Sequence, residues 1–292
     1  MRASTPSLSR ILIVATSAAL LAACGSSDGG GGQAQTGFLK VGITDAPVDM
    51  ATAVVVKFTG VELKPQGGSA FSIDFAMPKS LDLIQLQGEQ RAMLLDGEEI
   101  PAGEYEWMRL KVDADPNVAG DSYLQLEASG AECEMRIPSG DQNGLKLIRG
   151  FTIGVGTTTD FTIDFDLRKS LVAPPGQTTI VDTCGNQAFT LKPVLRIVDN
   201  LQVGTIAGDV DPNLIAAQCA ASGQAPYPGN VYLFGPIPAG ADVAPDDYDG
   251  VDDALTSAMV NPDTFRYTIG FVPAGNYRVA YTCDLDDTVV DA

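Results

Sequence analysis

The sequence predicts an all-β protein: two consecutive antiparallel β-sandwiches that follow an N-terminal leader and a flexible tether. Three observations predict it. Apolar and polar residues alternate at period two over many short stretches, the pattern of a strand with one buried face. Clusters of Gly, Pro and Asn separate those stretches at Pro65–Ser69, Pro116–Gly120, Pro138–Gly144 and Pro174–Gly176. Long amphipathic helical patterns are missing, and only Asn213–Cys219 and Asp252–Met259 read as short helices.

The leader is residues 1–23. Arg2 and Arg10 form a positive start and Ile11–Leu21 an apolar run, which together read as a signal peptide. The run is shorter than the roughly 20 apolar residues a membrane-spanning helix needs. Small residues then lead directly into a cysteine, Leu21-Ala22-Ala23-Cys24. This resembles the lipobox of bacterial lipoproteins. The resemblance implies cleavage after Ala23, acylation of Cys24 and attachment to a membrane through that lipid. Gly25 at the next position, in place of Asp, implies the outer membrane by the same likeness. Residues 24–36 are mostly Gly, Ser, Gln and Ala, a tether that cannot bury apolar surface.

The first sandwich is expected over residues 37–200. Leu39, Val41 and Ile43 alternate with Lys40, Gly42 and Thr44, and Val54, Val56 and Phe58 repeat the pattern. Phe161, Ile163, Phe165 and Leu167 alternate with Thr162, Asp164, Asp166 and Arg168, so the charged set, with Lys169, is expected to be a solvated strand face. Leu191–Val198 reads as a closing strand. The second sandwich is expected over residues 203–292, with strands at Val203–Val210, Asn230–Gly235, Phe265–Gly270 and Asn276–Cys283. Four strands are fewer than the seven or so usual for such a sandwich, so a further strand beyond Ala292 is expected.

The two regions share a short echo. Ile100-Pro-Ala-Gly-Glu-Tyr105 recurs as Val272-Pro-Ala-Gly-Asn-Tyr277. Pro and Gly (Gly103, Gly275) make the turn, and the tyrosine (Tyr105, Tyr277) packs into the strand that follows. This hairpin looks like the one in transthyretin-like and carboxypeptidase-regulatory-like sandwiches, which have an immunoglobulin-like architecture.

With Cys24 assigned to lipid, four cysteines remain. Three pairings are open to four cysteines in an oxidising compartment. The domain division places Cys133 and Cys184 on one side and Cys219 and Cys283 on the other, and those two disulfides are expected.

Composition excludes more chemistry than it suggests. The chain contains no histidine, which removes Ser-His-Asp and Cys-His catalysis and imidazole-bound metals. No C-x-x-C, G-x-S-x-G or phosphate-loop motif occurs. With 18 Lys and Arg against 37 Asp and Glu, a formal net charge of −19, nucleic acid is not an expected partner. Acid/base chemistry by a carboxylate pair is compatible with the composition, although no pair stands out.

Three local features are candidates. In Asp246–Asp253, Asp247, Asp249 and Asp252 are oxygen ligands of the kind calcium takes, the one cofactor the sequence suggests. Pro245 stands where the first EF-hand ligand belongs and Thr256 where the last does, so a solvated acidic loop is the favoured reading. In Thr44-Asp45-Ala46-Pro47, the Asp45 carboxylate is expected to accept backbone N–H bonds and order the turn after the first strand, in preference to a catalytic role. Trp107 and Tyr105 could stack against a sugar ring; packing between the sheets is preferred.

Ile43-Thr-Asp-Ala-Pro47, Ile100-Pro-Ala-Gly-Glu-Tyr105, Phe165-Asp-Leu-Arg-Lys-Ser170 and Leu191-Lys-Pro-Val-Leu-Arg196 occur in that order. In these motifs the chain resembles bacterial lipoproteins carrying the domain of unknown function 4382, over roughly residues 37–199. The resemblance implies a fold and no catalytic residues. The function expected is a lipid-anchored cell-envelope module, non-catalytic, that binds an envelope protein or a glycan or serves a structural role. The alternatives are a carboxylate-based glycan-active enzyme and a calcium-dependent adhesin.

Overall fold

The structure is a computed structural model that describes residues 35–46, 51–115, 118, 120–127, 129–137, 144–172, 184, 188–192, 194–222, 228–236 and 254–283. The leader, Cys24, most of the tether, Pro47, the acidic loop with Asp247, Asp249 and Asp252, and residues 284–292 lie outside the described residues.

The strands follow one another as β1 (Thr36–Ala46), β2 (Ala51–Pro65), β3 (Phe71–Asp82), β4 (Ala92–Pro101), β5 (Gly103–Asp113), β6 (Tyr123–Leu126), β7 (Glu132–Arg136), β8 (Leu145–Leu147) and β9 (Phe151–Ile153). Next come β10 (Thr158–Asp166), the one-turn helix α1 (Leu167–Ser170), β11 (Leu171–Val172), β12 (Phe189–Leu191) and β13 (Leu195–Asp199). The remainder is β14 (Val203–Asp209), helix α2 (Pro212–Ser222), β15 (Asn230–Phe234), β16 (Thr256–Met259), β17 (Arg266–Pro273) and β18 (Arg278–Thr282). The protein is all-β in class, as the alternation predicts.

Two sheets form the first sandwich. A four-stranded sheet has the order β13-β10-β1-β4, and a nine-stranded sheet runs β11-β12-β7-β6-β2-β5-β8, with β3 on β2 and β9 on β5. Leu39, Val41 and Ile43 face Val54, Val56 and Phe58 across a core from which water is excluded. In β2 the buried set changes parity, from Val54, Val56 and Phe58 to Val61 and Leu63. A bulge between Phe58 and Gly60 causes the change, because one extra residue turns the following side chains to the same face. Most ladders are antiparallel, as expected. Two are not: β1 pairs β10 in parallel and β7 pairs β12 in parallel, each bridging segments far apart in sequence.

A second core joins Val231, Leu233, Ala258, Val260, Ile269 and Val272. It is enclosed by a two-stranded sheet, β14-β17, and a three-stranded sheet, β16-β15-β18. Thr256–Met259 is strand β16 and not part of a helix, because its backbone pairs with β15 and its side chains are buried on both sides. The other expected helix is present as α2. Both disulfides are formed as the domain division suggests, Cys133 to Cys184 and Cys219 to Cys283, the latter tying α2 to the end of β18. Residues 34–292 fall in one compact unit, although they hold two cores.

The repeated Pro-Ala-Gly turn is not the expected hairpin, because β4 and β5, like β17 and β18, lie in different sheets, and each turn carries the chain from one sheet to the other. The Tyr105 hydroxyl donates to the Pro101 carbonyl at 2.7 Å, and the Tyr277 hydroxyl to the Pro273 carbonyl at 2.8 Å. Each tyrosine hooks back four residues, as in the tyrosine corner of immunoglobulin-like sandwiches. Gly103 has φ +146°, a conformation that side-chain-bearing residues rarely adopt.

Candidate functional site

The charged alternation in β10 has a different role from the one expected. Asp164 is 7% exposed and Arg168 2%, so this face is buried and not solvated. The second core's strands cover it. Arg196 on β13 donates to the Asp164 carboxylate at 2.6 Å and to the Phe271 carbonyl of β17 at 3.2 Å. Lys169 pairs with Asp166 at 3.3 Å and donates to the Ala254 carbonyl at 2.7 Å. The Arg168 guanidinium bonds the Tyr232 hydroxyl of β15 and lies over its ring, 5.2 Å from the centroid. At the rim, Thr205 donates to Glu89 at 2.6 Å. The face is therefore a polar layer between the two cores. The strand itself stops at Asp166, whose carboxylate accepts the Lys169 amide and caps α1.

Asp45 sits beside this layer, at the core-facing end of β1. Neither of its carboxylate oxygens has a hydrogen-bond partner among the described residues. The expected acceptance of turn amides is not what holds this segment. Thr44 does so, donating from its hydroxyl towards the Leu86 and Gln90 carbonyls at 2.8 and 2.9 Å, while the Asp45 amide donates to Leu86. Burial raises the Asp45 pKa well above the usual carboxylate value, and the negative charges of Asp164 and Asp166 raise it further. The nearby Leu167 amide and Arg168 guanidinium pull it down and do not prevail. Burial likewise raises Asp164 against the opposing Arg196, and Asp166 against Lys169.

An open cleft lies elsewhere, on the side of the first sandwich where its two sheets part. A cavity of 520 Å³ is lined by β9, the turn after it and the start of β10, by the end of β13 and by the start of β14. A second, of 330 Å³, continues from it between β8 and β13, and the two share Arg149 and Ile197. Arg149 spans the gap between the sheets, donating from Nη1 to the Ile197 carbonyl at 2.7 Å. Among the described residues, Asp199 is the one carboxylate lining the pair of cavities, and it accepts the Leu201 amide at 3.0 Å.

The aromatic candidates separate. Tyr105 is buried, stacked on Phe151 with centroids 5.0 Å apart. Trp107 is on the outer face of β5 rather than between the sheets, with the Arg109 guanidinium 4.9 Å and the Lys146 ammonium 4.3 Å from its ring centroid. Among the described residues, no group of three or more His, Cys, Asp or Glu side chains is placed to hold a metal ion. Arg149, Arg196 and Tyr232 were not singled out by sequence reasoning. A signal for Arg196 existed: acids alternate with apolar residues on β10, and Arg196 lies directly opposite Asp164 in the antiparallel ladder.

Comparison with protein families matches residues 36–193 to the family described as a domain of unknown function (DUF4382). The chain belongs to this family. The DUF4382 match spans the four-stranded sheet up to the start of β13, and so contains Asp45, Asp164, Asp166, Arg168 and Arg149. Comparison with curated proteins and with solved structures finds no match.

Proposed function

We propose that this DUF4382 protein is a lipid-anchored cell-envelope module that binds a partner and does not transform a substrate. One observation carries the reading. An acid/base enzyme needs carboxylates of raised proton affinity at an accessible cleft. Here Asp45, Asp164 and Asp166 lie in and beside the layer that joins the two cores, two of them tied to Arg196 and Lys169, and the other raised carboxylates, Asp121 beside β6 and Glu134 on β7, line neither cavity of the groove. Among the described residues, the open groove has a single carboxylate, already engaged with the backbone beside it.

The leader and Cys24 support the envelope location and the lipid, and Gly25 supports the outer membrane. The second core, with its Tyr277 hook and two small sheets, supports a transthyretin-like module behind the family domain. Cells expressing the full chain and fed an alkyne fatty acid should label the wild type and leave Cys24→Ala unlabelled; equal labelling of both rejects the anchor. The protein offered to glycan and peptide arrays beside glycosidase and esterase assays should retain ligand and release no product. Turnover would reject the binding reading.

A further inference from the structure

We propose that the groove along the open side of the first sandwich docks an extended acidic segment of a partner polypeptide. This rests on the binding reading above and names the partner's chemistry.

Charge is the first argument. Most described cations are in ion pairs: Lys40, Lys57, Arg91, Arg109, Lys111 and Arg196 each have a carboxylate within 4 Å. Among the described residues, Lys146 and Arg149, which line the groove, have none. Lys146 lies over the Trp107 ring, and Arg149 places one of its five N–H donors on the Ile197 carbonyl. The rest remain available to a ligand. In a chain of net charge −19, the groove sets these two cations against one carboxylate, Asp199, whose oxygens already accept from the Leu201 amide and the Gln202 side chain. The acidic remainder of the surface repels an anion only weakly beyond about 8 Å at physiological salt.

Apolar exposure is the second. Ile148 is 81% exposed and Leu201 84%, the most exposed large hydrophobic side chains among the described residues, and each lines one of the two cavities. Scattered single apolar residues need no explanation, but two beside one cationic groove do. The third argument is the backbone. Among the described residues β13 is an edge strand of its sheet, and its outer N–H and C=O groups face no other strand there. Arg149 covers Ile197 alone.

An extended peptide satisfies all three. Its alternate side chains, about 6.8 Å apart, place carboxylates against Arg149 and Lys146 and aliphatic groups against Ile148 and Leu201, while its main chain meets β13. An anionic glycan fits less well. The groove's aromatic rings, Phe151 and Phe161, pack edge-on to each other at 5.4 Å, and Phe151 is already stacked on Tyr105, so no open ring platform is offered.

Fluorescence anisotropy with the full chain and a labelled octapeptide of alternating Glu and Val tests this, beside Lys/Val and Ser/Val peptides and a labelled oligogalacturonate. The Glu/Val peptide should bind tightest, and its affinity should fall as salt rises from about 50 to about 300 mM. Lys146→Glu with Arg149→Glu should weaken it about tenfold or more, and Lys192→Glu, away from the groove, should not. If the double variant melts earlier than wild type, Lys146→Glu alone and Ile148→Ser, both at exposed positions, must each weaken binding for the proposal to stand. Equal binding of all three peptides, or no effect of these substitutions, overturns it. Preference for the oligogalacturonate overturns the peptide assignment and leaves the binding reading intact. Cleavage of any probe overturns the binding reading itself.

Discussion

Asp45 is buried with its carboxylate unsatisfied, and burial with the charges of Asp164 and Asp166 raises its proton affinity. A carboxyl group whose folded pKa exceeds its unfolded value, about 3.9, favours folding fully below that unfolded value. The contribution is lost as pH rises through the folded pKa. Asp45→Asn imitates the protonated group at every pH. It should raise the melting temperature at neutral pH, with the gain shrinking to nothing near about pH 3, in thermal melts run across pH. A wild-type pH profile in the variant would show that Asp45 is not the group responsible. At the two Pro-Ala-Gly turns, Tyr105→Phe and Tyr277→Phe each remove one hydrogen bond and should cost about 1 kcal/mol in denaturant titration. The paired Pro-Ala-Gly motif made these tyrosines legible in the sequence. The Asp45 environment was not legible, because the groups that set its proton affinity, Asp164, Asp166, Leu167 and Arg168, lie on β10 and α1, more than a hundred residues further along the chain.

Among the elements, β17 is constrained by the closest backbone approach to the first sandwich. A Cβ on Gly270 would lie 2.2 Å from the Gly88 carbonyl oxygen, a contact that backbone cannot relieve without moving. Gly270→Ala should therefore loosen the β17 contact, and hydrogen exchange should show faster exchange in both β17 and the Gly88 turn. Replacing Cys219 and Cys283 together by serine should cost roughly 3–4 kcal/mol by chain entropy, with α2 and β18 affected most. Period-two alternation located β1, β2 and β10 because each has an inner face that is apolar over most of its length. It missed β16, where Thr256, Ser257 and Ala258 are buried without alternating in polarity. It also read the outer face of β10 as wet, since a strand's own sequence does not reveal what covers its polar side.

At the scale of the molecule, acids and bases that look like surface decoration join the two cores. Asp164→Ala leaves the partly buried Arg196 without its carboxylate and should cost about 2 kcal/mol, whereas a solvated pair would cost less than about 1 kcal/mol. The groove was illegible in the sequence for a related reason: Arg149, Ile197 and Leu201 come from segments some fifty residues apart and share no periodic signal. That the polar strand face is a joint between the cores, and so unavailable for catalysis, can be tested most directly by scanning calorimetry of the disulfide-intact protein. A joint predicts one transition, with calorimetric and van't Hoff enthalpies equal. Two separable transitions, with Asp164→Ala shifting neither, would contradict it.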